Sequence, residues 1–138
     1  RGLWIITQKI ACHMREQKIQ GSIINIASIS GDLVPSYAEG AYCASKAAVI
    51  QLTKQLVGEF SPYKIRINAI LPGLIHTETT QKQIQIEGDN LRKSIPLGFI
   101  ATPEDLDGAL LYLASNRASR YVTGSSLVID GGDSWRGV

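Results

Sequence analysis

Leu3, Ile6, Ile10 and Met14 recur at the three-to-four-residue spacing of an amphipathic helix, which the pattern carries to residue 18 before Gly21 closes it. Ser22-Ile23-Ile24-Asn25-Ile26-Ala27 follows as a short, mostly apolar run of strand length, read as buried on both faces in the manner of parallel strands. Residues 28–40 collect Gly, Pro, Ser and Asp and read as a loop. A stronger helix is predicted over 41–60, where Ala44, Ala48, Leu52 and Leu56 form one stripe with Val49, Thr53 and Phe60 beside it. The small side chains of Ala41, Ala44, Ala47 and Ala48 leave room for another backbone to come close. Ile65 to Leu71 is the second strand, stopped by Pro72-Gly73. Residues 76–95 are polar, rich in glutamine and poor in regular patterning, and are expected to be a mobile excursion with short helical pieces. Thr102-Pro103-Glu104-Asp105 then opens a third helix, with Thr as N-cap, Pro at N1 and acids in the first turn. Leu106, Ala109, Leu110 and Leu113 give that helix an apolar face, and Ser126 to Asp130 is a third strand ended by Gly131-Gly132.

Strand, helix, strand, helix, strand is the alternation of an α/β fold with a parallel sheet, right-handed crossovers and helices on both faces, a three-layer doubly wound arrangement. Ligands of such sheets gather beyond the carboxyl ends of the strands. Ser28, the Pro72–Thr77 segment and Asp130-Gly131-Gly132 all follow predicted strand ends. One rim of the sheet therefore collects the candidate site.

The chemistry on that rim is Tyr42-Cys43-Ala44-Ser45-Lys46, which puts a phenol and an ammonium four residues apart on one helix face. A free tyrosine titrates near ~10, too high for efficient proton transfer at neutral pH. An ammonium about 4 Å away, at an effective dielectric of ~20, favours a phenolate by up to ~4 kcal/mol before solvent screening. Tyr42 accordingly reads as a proton donor and acceptor for a carbonyl or alcohol oxygen, Lys46 as its electrostatic activator, and Ser28 as a hydrogen-bond donor to the reacting oxygen. The pair alone is weak, since Tyr-x-x-x-Lys arises by chance in roughly one such chain in four. Ser30 is an alternative donor to Ser28, and Ser28 has the alternative role of capping its loop.

Composition narrows the class without naming a substrate. A chain of 138 residues with 44% hydrophobic and 19% charged residues is a globular segment of one domain at most. Its net charge of +2, with no Lys/Arg block, gives no footprint for nucleic acid or an anionic membrane. Cys12 and Cys43 stand apart on two predicted helices and are expected to be free thiols in a reducing, cytoplasmic setting. Neither they nor the isolated His13 and His76 have metal-ligand spacing, so no metal site is expected. Lys9 and His13 interrupt the first apolar run too early for a signal peptide or a membrane span. The chain opens without Met and without a capping residue, and reads as beginning inside a helix.

Taken in order, Ile24-Asn25-Ile26-Ala27-Ser28, Tyr42-x-x-x-Lys46, Asn68 to Thr77 with its Pro72-Gly73 turn, Pro96-Leu97-Gly98, Pro103-Glu104-Asp105, and Tyr121-Val122-Thr123-Gly124 leading to Asp130-Gly131-Gly132 resemble the short-chain dehydrogenase/reductase family over almost the whole chain. The look is nearest to 3-oxoacyl-(acyl-carrier-protein) reductases. The resemblance implies a Rossmann-like fold, with residues 1–138 as the C-terminal part of a single dinucleotide-binding and catalytic domain. It implies Ser28, Tyr42 and Lys46 as catalytic residues, with Tyr42 and Lys46 also meeting the cofactor and Lys46 bonding the nicotinamide ribose. Pro72, Gly73, Ile75 and Thr77 would line the nicotinamide end of NAD or NADP, although Thr77 has the alternative role of capping the next helix. His76 is expected to be an ordinary loop side chain.

The family's glycine-rich phosphate loop, its NAD-or-NADP selector and its Asn-Asn-Ala-Gly strand have no counterpart in these residues, and its catalytic asparagine would fall just before Arg1. Strand 23–27 is therefore expected to present an unpaired edge. Phe99 stands where many relatives carry arginine. The implied activity is ketone–alcohol interconversion with NAD(P)(H) on a small carbonyl or alcohol substrate, 3-oxoacyl reductase-like. A sugar or polyol dehydrogenase is the alternative, with specificity carried by loop 31–40 and residues 77–94. A further alternative is an inert half-domain that only associates with partner chains. Residues 1–18 and 41–60 resemble the helices through which family members form dimers or tetramers.

Overall fold

A computed structural model describes residues 2–33 and 39–135. Seven main elements run in the order α1 (Gly2–Glu16), β1 (Gly21–Ile26), α2 (Gly40–Phe60), β2 (Ile65–Pro72), α3 (Gln81–Ser94), α4 (Asp107–Ala114) and β3 (Ser126–Ile129). The three strands form a parallel sheet in the order β1-β2-β3. Register runs from Gly21 opposite Ile65 to Ile26 opposite Ile70, and from Ala69 opposite Ser126 to Pro72 opposite Ile129. This is the expected Rossmann-like α/β architecture. Among the described residues β1 pairs on one side only, as expected.

The alternation of side chains along central β2 sorts the layers. Ile65 and Ile67 pack with Ala11, Leu56 and Phe60, while Ala69 and Leu71 pack with Ala27, Ile29 and Ile50, so α1 and α2 cover one face. Ile70 faces the other way, onto Ala109 and Leu113 of α4. Fully buried Leu56 and Phe60 each contribute roughly 1.5–3 kcal/mol of hydrophobic stabilisation. Polar members of β2 serve as struts. The Asn68 side chain donates to the Val122 carbonyl at 3.0 Å and accepts from the Ser125 N–H at 3.1 Å, fixing the approach to β3.

Four expectations about the helices change. The inward face of α1 is Thr7 and Ala11, whereas Ile6 and Ile10 are 60% and 47% exposed. Cys12 and Met14 pack at the margin of the same core, partly buried. On α2 the buried stripe is Ile50, Thr53, Leu56 and Phe60, with Ala44 and Ala48 exposed, and on α4 Leu110 lies outside while Ala109 and Leu113 are buried. Residues 81–94 form one continuous helix rather than a loosely structured excursion. Its Gln, Lys, Glu and Arg residues are good helix formers, Ile84, Gly88 and Leu91 turn one face inward at helical spacing, and Arg92 and Lys93 in its last turn complement the helix dipole.

The predicted start of the third helix is a 3-10 turn, Pro103–Leu106, leading into α4, with the Thr102 N–H donating to the Asp105 carboxylate at 2.7 Å. Ile26 is exposed, so β1 is not buried on both faces along its whole length. Of predicted loop 28–40, residues 34–38 lie outside the described residues, and with them half of the specificity loop expected at 31–40. Cys12 and Cys43 are free. Among the described residues no helix is long and apolar enough to cross a membrane.

Candidate active site

β1 delivers Ser28 to the carboxyl rim. The chain leaves the ladder after Ile26, is held once more by the Ala27 N–H on the Ile70 carbonyl at 2.8 Å, and turns into a 3-10 turn at Ile29–Gly31. Ser28 is buried and extended, and its Oγ caps that turn by accepting from the Ser30 N–H at 3.2 Å. Because this bond uses a lone pair, the Ser28 hydroxyl proton stays free to donate. Capping and donation to a ligand, which the sequence leaves as alternatives, are thus compatible.

The turn can lie against α2 because residue 31 is glycine. A Cβ there would sit 2.6 Å from the Lys46 carbonyl carbon and 2.8 Å from the Ala47 nitrogen. This is the close backbone approach that the small residues of α2 suggested, made at Ala47.

Tyr42 and Lys46 stand one turn apart near the start of α2. Tyr42 is 45% exposed. The Lys46 Nζ donates to the Ile26 carbonyl at 3.1 Å and lies 5.6 Å from the centre of the Tyr42 ring. One of three ammonium protons is therefore anchored to β1 and two remain for a ligand.

The opposite wall comes from the exit of β2. The Gly73 N–H donates to the Ile129 carbonyl at 2.9 Å, and a Cβ on Gly73 would stand 2.8 Å from the Asp130 Cβ, so only glycine lets the two strand exits cross. Ile75 bridges Ala101, and the His76 N–H donates to the Ala101 carbonyl at 2.7 Å. Thr80 then gathers the segment: its hydroxyl donates to the Ile75 carbonyl at 2.6 Å and accepts from the Thr77 N–H at 2.9 Å. Thr80, not Thr77, is the residue directly before α3, and its hydroxyl ties the Ile75–Thr77 segment rather than capping the helix.

Between these walls lies a cleft of about 350 Å³. It brings together every residue expected at the site: Ser28, Tyr42, Lys46, Pro72, Gly73, Ile75 and Thr77. His76 does not line it. The sequence reading missed Glu39, Thr79, Thr80, Gln83 and Asp133, which also line it. Glu39 carried a signal, standing directly before a helix whose first turn holds Tyr42; the others depend on α3 and on long-range approach. Below the rim, Asp130 Oδ1 accepts from the Gly132 N–H at 2.9 Å and Oδ2 from the Ser134 N–H at 2.6 Å. Partial burial pushes the Asp130 carboxyl up, but the bonds from Ser134 and from the Ser134 and Gly132 backbone outweigh it and hold it below the ordinary aspartate value. Phe99 is half-exposed and shares a separate, mainly apolar cavity of about 210 Å³ with Leu74, Leu97 and Ile129.

A parallel α/β sheet carrying serine, Tyr-x-x-x-Lys and a Pro-Gly exit on one rim defines a class, and the chain belongs to the short-chain dehydrogenase/reductase family. The family model described as Enoyl-(Acyl carrier protein) reductase matches residues 1–134. Among individual relatives, the (3R)-3-hydroxyacyl-CoA dehydrogenase of Homo sapiens is 40% identical over 132 residues, covering 96% of this chain and 50% of the relative. The 3-oxoacyl-(acyl-carrier-protein) reductase FabG of Thermotoga maritima is 38% identical, covering 96% and 52%. The structure of a 4-hydroxyisoleucine dehydrogenase complexed with NADH superposes with a TM-score of 0.89 at 38% identity, covering 96% of this chain and 55% of that one. The chain spans about half the length of the curated relatives it matches.

Proposed function

We propose that this chain carries the catalytic centre of an NAD(P)(H)-dependent oxidoreductase that interconverts a ketone and a secondary alcohol. The observation that carries the reading is the convergence of Ser28, Tyr42 and Lys46 on one cleft, with Gly73, Ile75 and Thr77 facing them. In the reducing direction the Tyr42 hydroxyl gives its proton to the substrate oxygen: the phenolic O–H breaks and the alcohol O–H forms. Ser28 holds that oxygen through its free hydroxyl proton. The resulting Tyr42 phenolate stands beside the Lys46 ammonium and, being half-exposed, regains a proton from solvent.

The residues present fit the nicotinamide end of the cofactor. Lys46 keeps two ammonium protons for a ribose diol, and Gly73 presents bare backbone beside apolar Ile75 and the Thr77 hydroxyl. When bound, NAD(P)H supplies the hydride to the carbonyl carbon. The NADH complex of the 4-hydroxyisoleucine dehydrogenase supports this assignment. A 3-oxoacyl thioester is the substrate class favoured by the two fatty-acyl relatives. Self-association would use α1 and α2, where Ile6 and Ile10 stay exposed on a helix already packed against the sheet.

The test is NADH or NADPH oxidation by the complete polypeptide with a 3-oxoacyl thioester, for wild type and Tyr42→Phe. Turnover that disappears in the variant while circular dichroism is unchanged supports the assignment, and undiminished turnover removes Tyr42 from the mechanism.

A further inference from the structure

The opposite rim of the sheet, at the amino ends of the strands, carries a second and larger cleft of about 670 Å³, within the range of small-molecule sites. It is bounded by the 3-10 turn Ser61–Tyr63 that links α2 to β2, by the first residues of β2 and by the loop between α4 and β3. Among the described residues three cations line it, Lys64, Arg66 and Arg120, and no carboxylate does.

Arg66 is the unusual member. It is 7% exposed, and its guanidinium donates to the Leu113 carbonyl at 2.9 Å, the Ser119 Oγ at 2.9 Å and the Asn116 Oδ1 at 3.0 Å. All three acceptors are neutral. Burial of a charge is costly without a counter-charge, and among the described residues Arg66 forms no ion pair. Burial accordingly pulls the guanidinium below its ordinary value, against a smaller opposing contribution from Tyr112. A guanidinium has five N–H donors, so the three bonds leave two unused.

Lys64 adds a second, independent oddity. Its φ of 60° lies in the left-handed region, which suits glycine or asparagine, and its N–H closes the turn on the Ser61 carbonyl at 2.9 Å. The position holds a long cationic side chain where the backbone favours none. The Ser61 hydroxyl on the same wall has no hydrogen-bond partner among the described residues. Tyr121, fully exposed at the cleft, offers a flat apolar ring to the organic part of a ligand.

We infer that this cleft is a second binding site, separate from the catalytic cleft, for a small soluble molecule bearing a phosphoryl group or a similar multivalent oxyanion. Arg66 supplies the fixed charge at its base, and Lys64 and Arg120 close on the anion from the exposed side.

The test is calorimetric titration of the complete polypeptide with inorganic pyrophosphate at constant ionic strength and saturating NADH. Saturable binding is expected, weakened at least tenfold by Lys64→Gly/Arg120→Ala and largely retained by Arg120→Lys. Both altered positions are exposed, and glycine suits the backbone at 64, so an unchanged melting temperature in chloride is expected to show that the double variant folds. Absence of saturable binding, binding indifferent to the double variant, or binding only to anionic phospholipid vesicles would each overturn the proposal.

Discussion

The Lys46 ammonium is bonded to the Ile26 carbonyl at 3.1 Å, so the first turns of α2 are tied to the last residue of β1 across the floor of the cleft. One side chain thus links the end of β1 to the helix turn that carries Tyr42. Lys46→Met keeps the length and apolar stem but removes the donor and the charge. The expected loss of kcat is at least ~10²-fold, in the range of acid–base contributions. The expected loss of unfolding free energy is only about 1 kcal/mol, the net worth of one hydrogen bond. Urea unfolding beside NAD(P)H turnover separates the two; a kcat loss that merely tracks unfolding would reduce Lys46 to a structural tie.

Gly31 sets the distance between the Ser28 turn and α2. In Gly31→Ala the new methyl meets backbone atoms of Lys46 and Ala47, which cannot rotate away. A destabilisation of about 1–3 kcal/mol is expected, as for other overpacked contacts. Gly58→Ala is the internal control: it lies within α2, nothing stands within 4 Å of its Cβ position, and it is expected to stabilise by up to ~1 kcal/mol. Opposite shifts in melting temperature are predicted for these two Gly→Ala changes, and equal ones would contradict the packing argument.

The contrast between those glycines marks how far the sequence could be read. Strand ends and helix starts were legible because Gly21, Pro72-Gly73, Thr102-Pro103 and Gly131-Gly132 punctuate the chain, and Tyr42 and Lys46 were legible because four-residue spacing fixes a shared helix face. The side of a helix that faces the sheet was less so. Ile6 and Ile10 look the better apolar stripe, yet it is the Thr7 and Ala11 side that packs on the sheet, with Cys12 and Met14 beside it. α3 was missed because its inward face, Ile84, Gly88 and Leu91, holds only two large apolar side chains, separated by a glycine, within a stretch of polar residues. With α3 went Thr80 and Gln83, whose place in the cleft depends on it.

Asn25 joins three elements through buried polar atoms. Its amide donates to the Thr53 Oγ1 at 3.0 Å, Thr53 donates to the Val49 carbonyl at 2.8 Å, and the Thr7 hydroxyl stands 3.4 Å from the Asn25 Oδ1. Thr53→Val is nearly isosteric but leaves the Asn25 N–H without its acceptor. The expected destabilisation is about 1–3 kcal/mol, the cost of an unsatisfied buried donor. Thr53→Ser preserves the hydroxyl and should recover part of that stability in urea unfolding. If valine and serine variants were equally stable, the bond would contribute nothing measurable.

Asp130 connects stability to pH. Its folded-state value lies below that of the unfolded chain, where aspartate titrates near ~3.9. Ionised Asp130 therefore stabilises the fold fully above the unfolded value, and this contribution is lost as pH falls through the folded value. The structural cause is the pair of N–H donors from Gly132 and Ser134 that close the turn after β3. Asp130→Asn keeps the shape but presents only one acceptor oxygen to two donors. Wild type should be the more stable at neutral pH, and the difference between the two proteins should narrow as pH drops below about 4. Urea midpoints for both proteins from neutral pH down into that range measure this directly. A difference that stays constant throughout would mean that the turn is held by its backbone alone, with the carboxylate adding nothing.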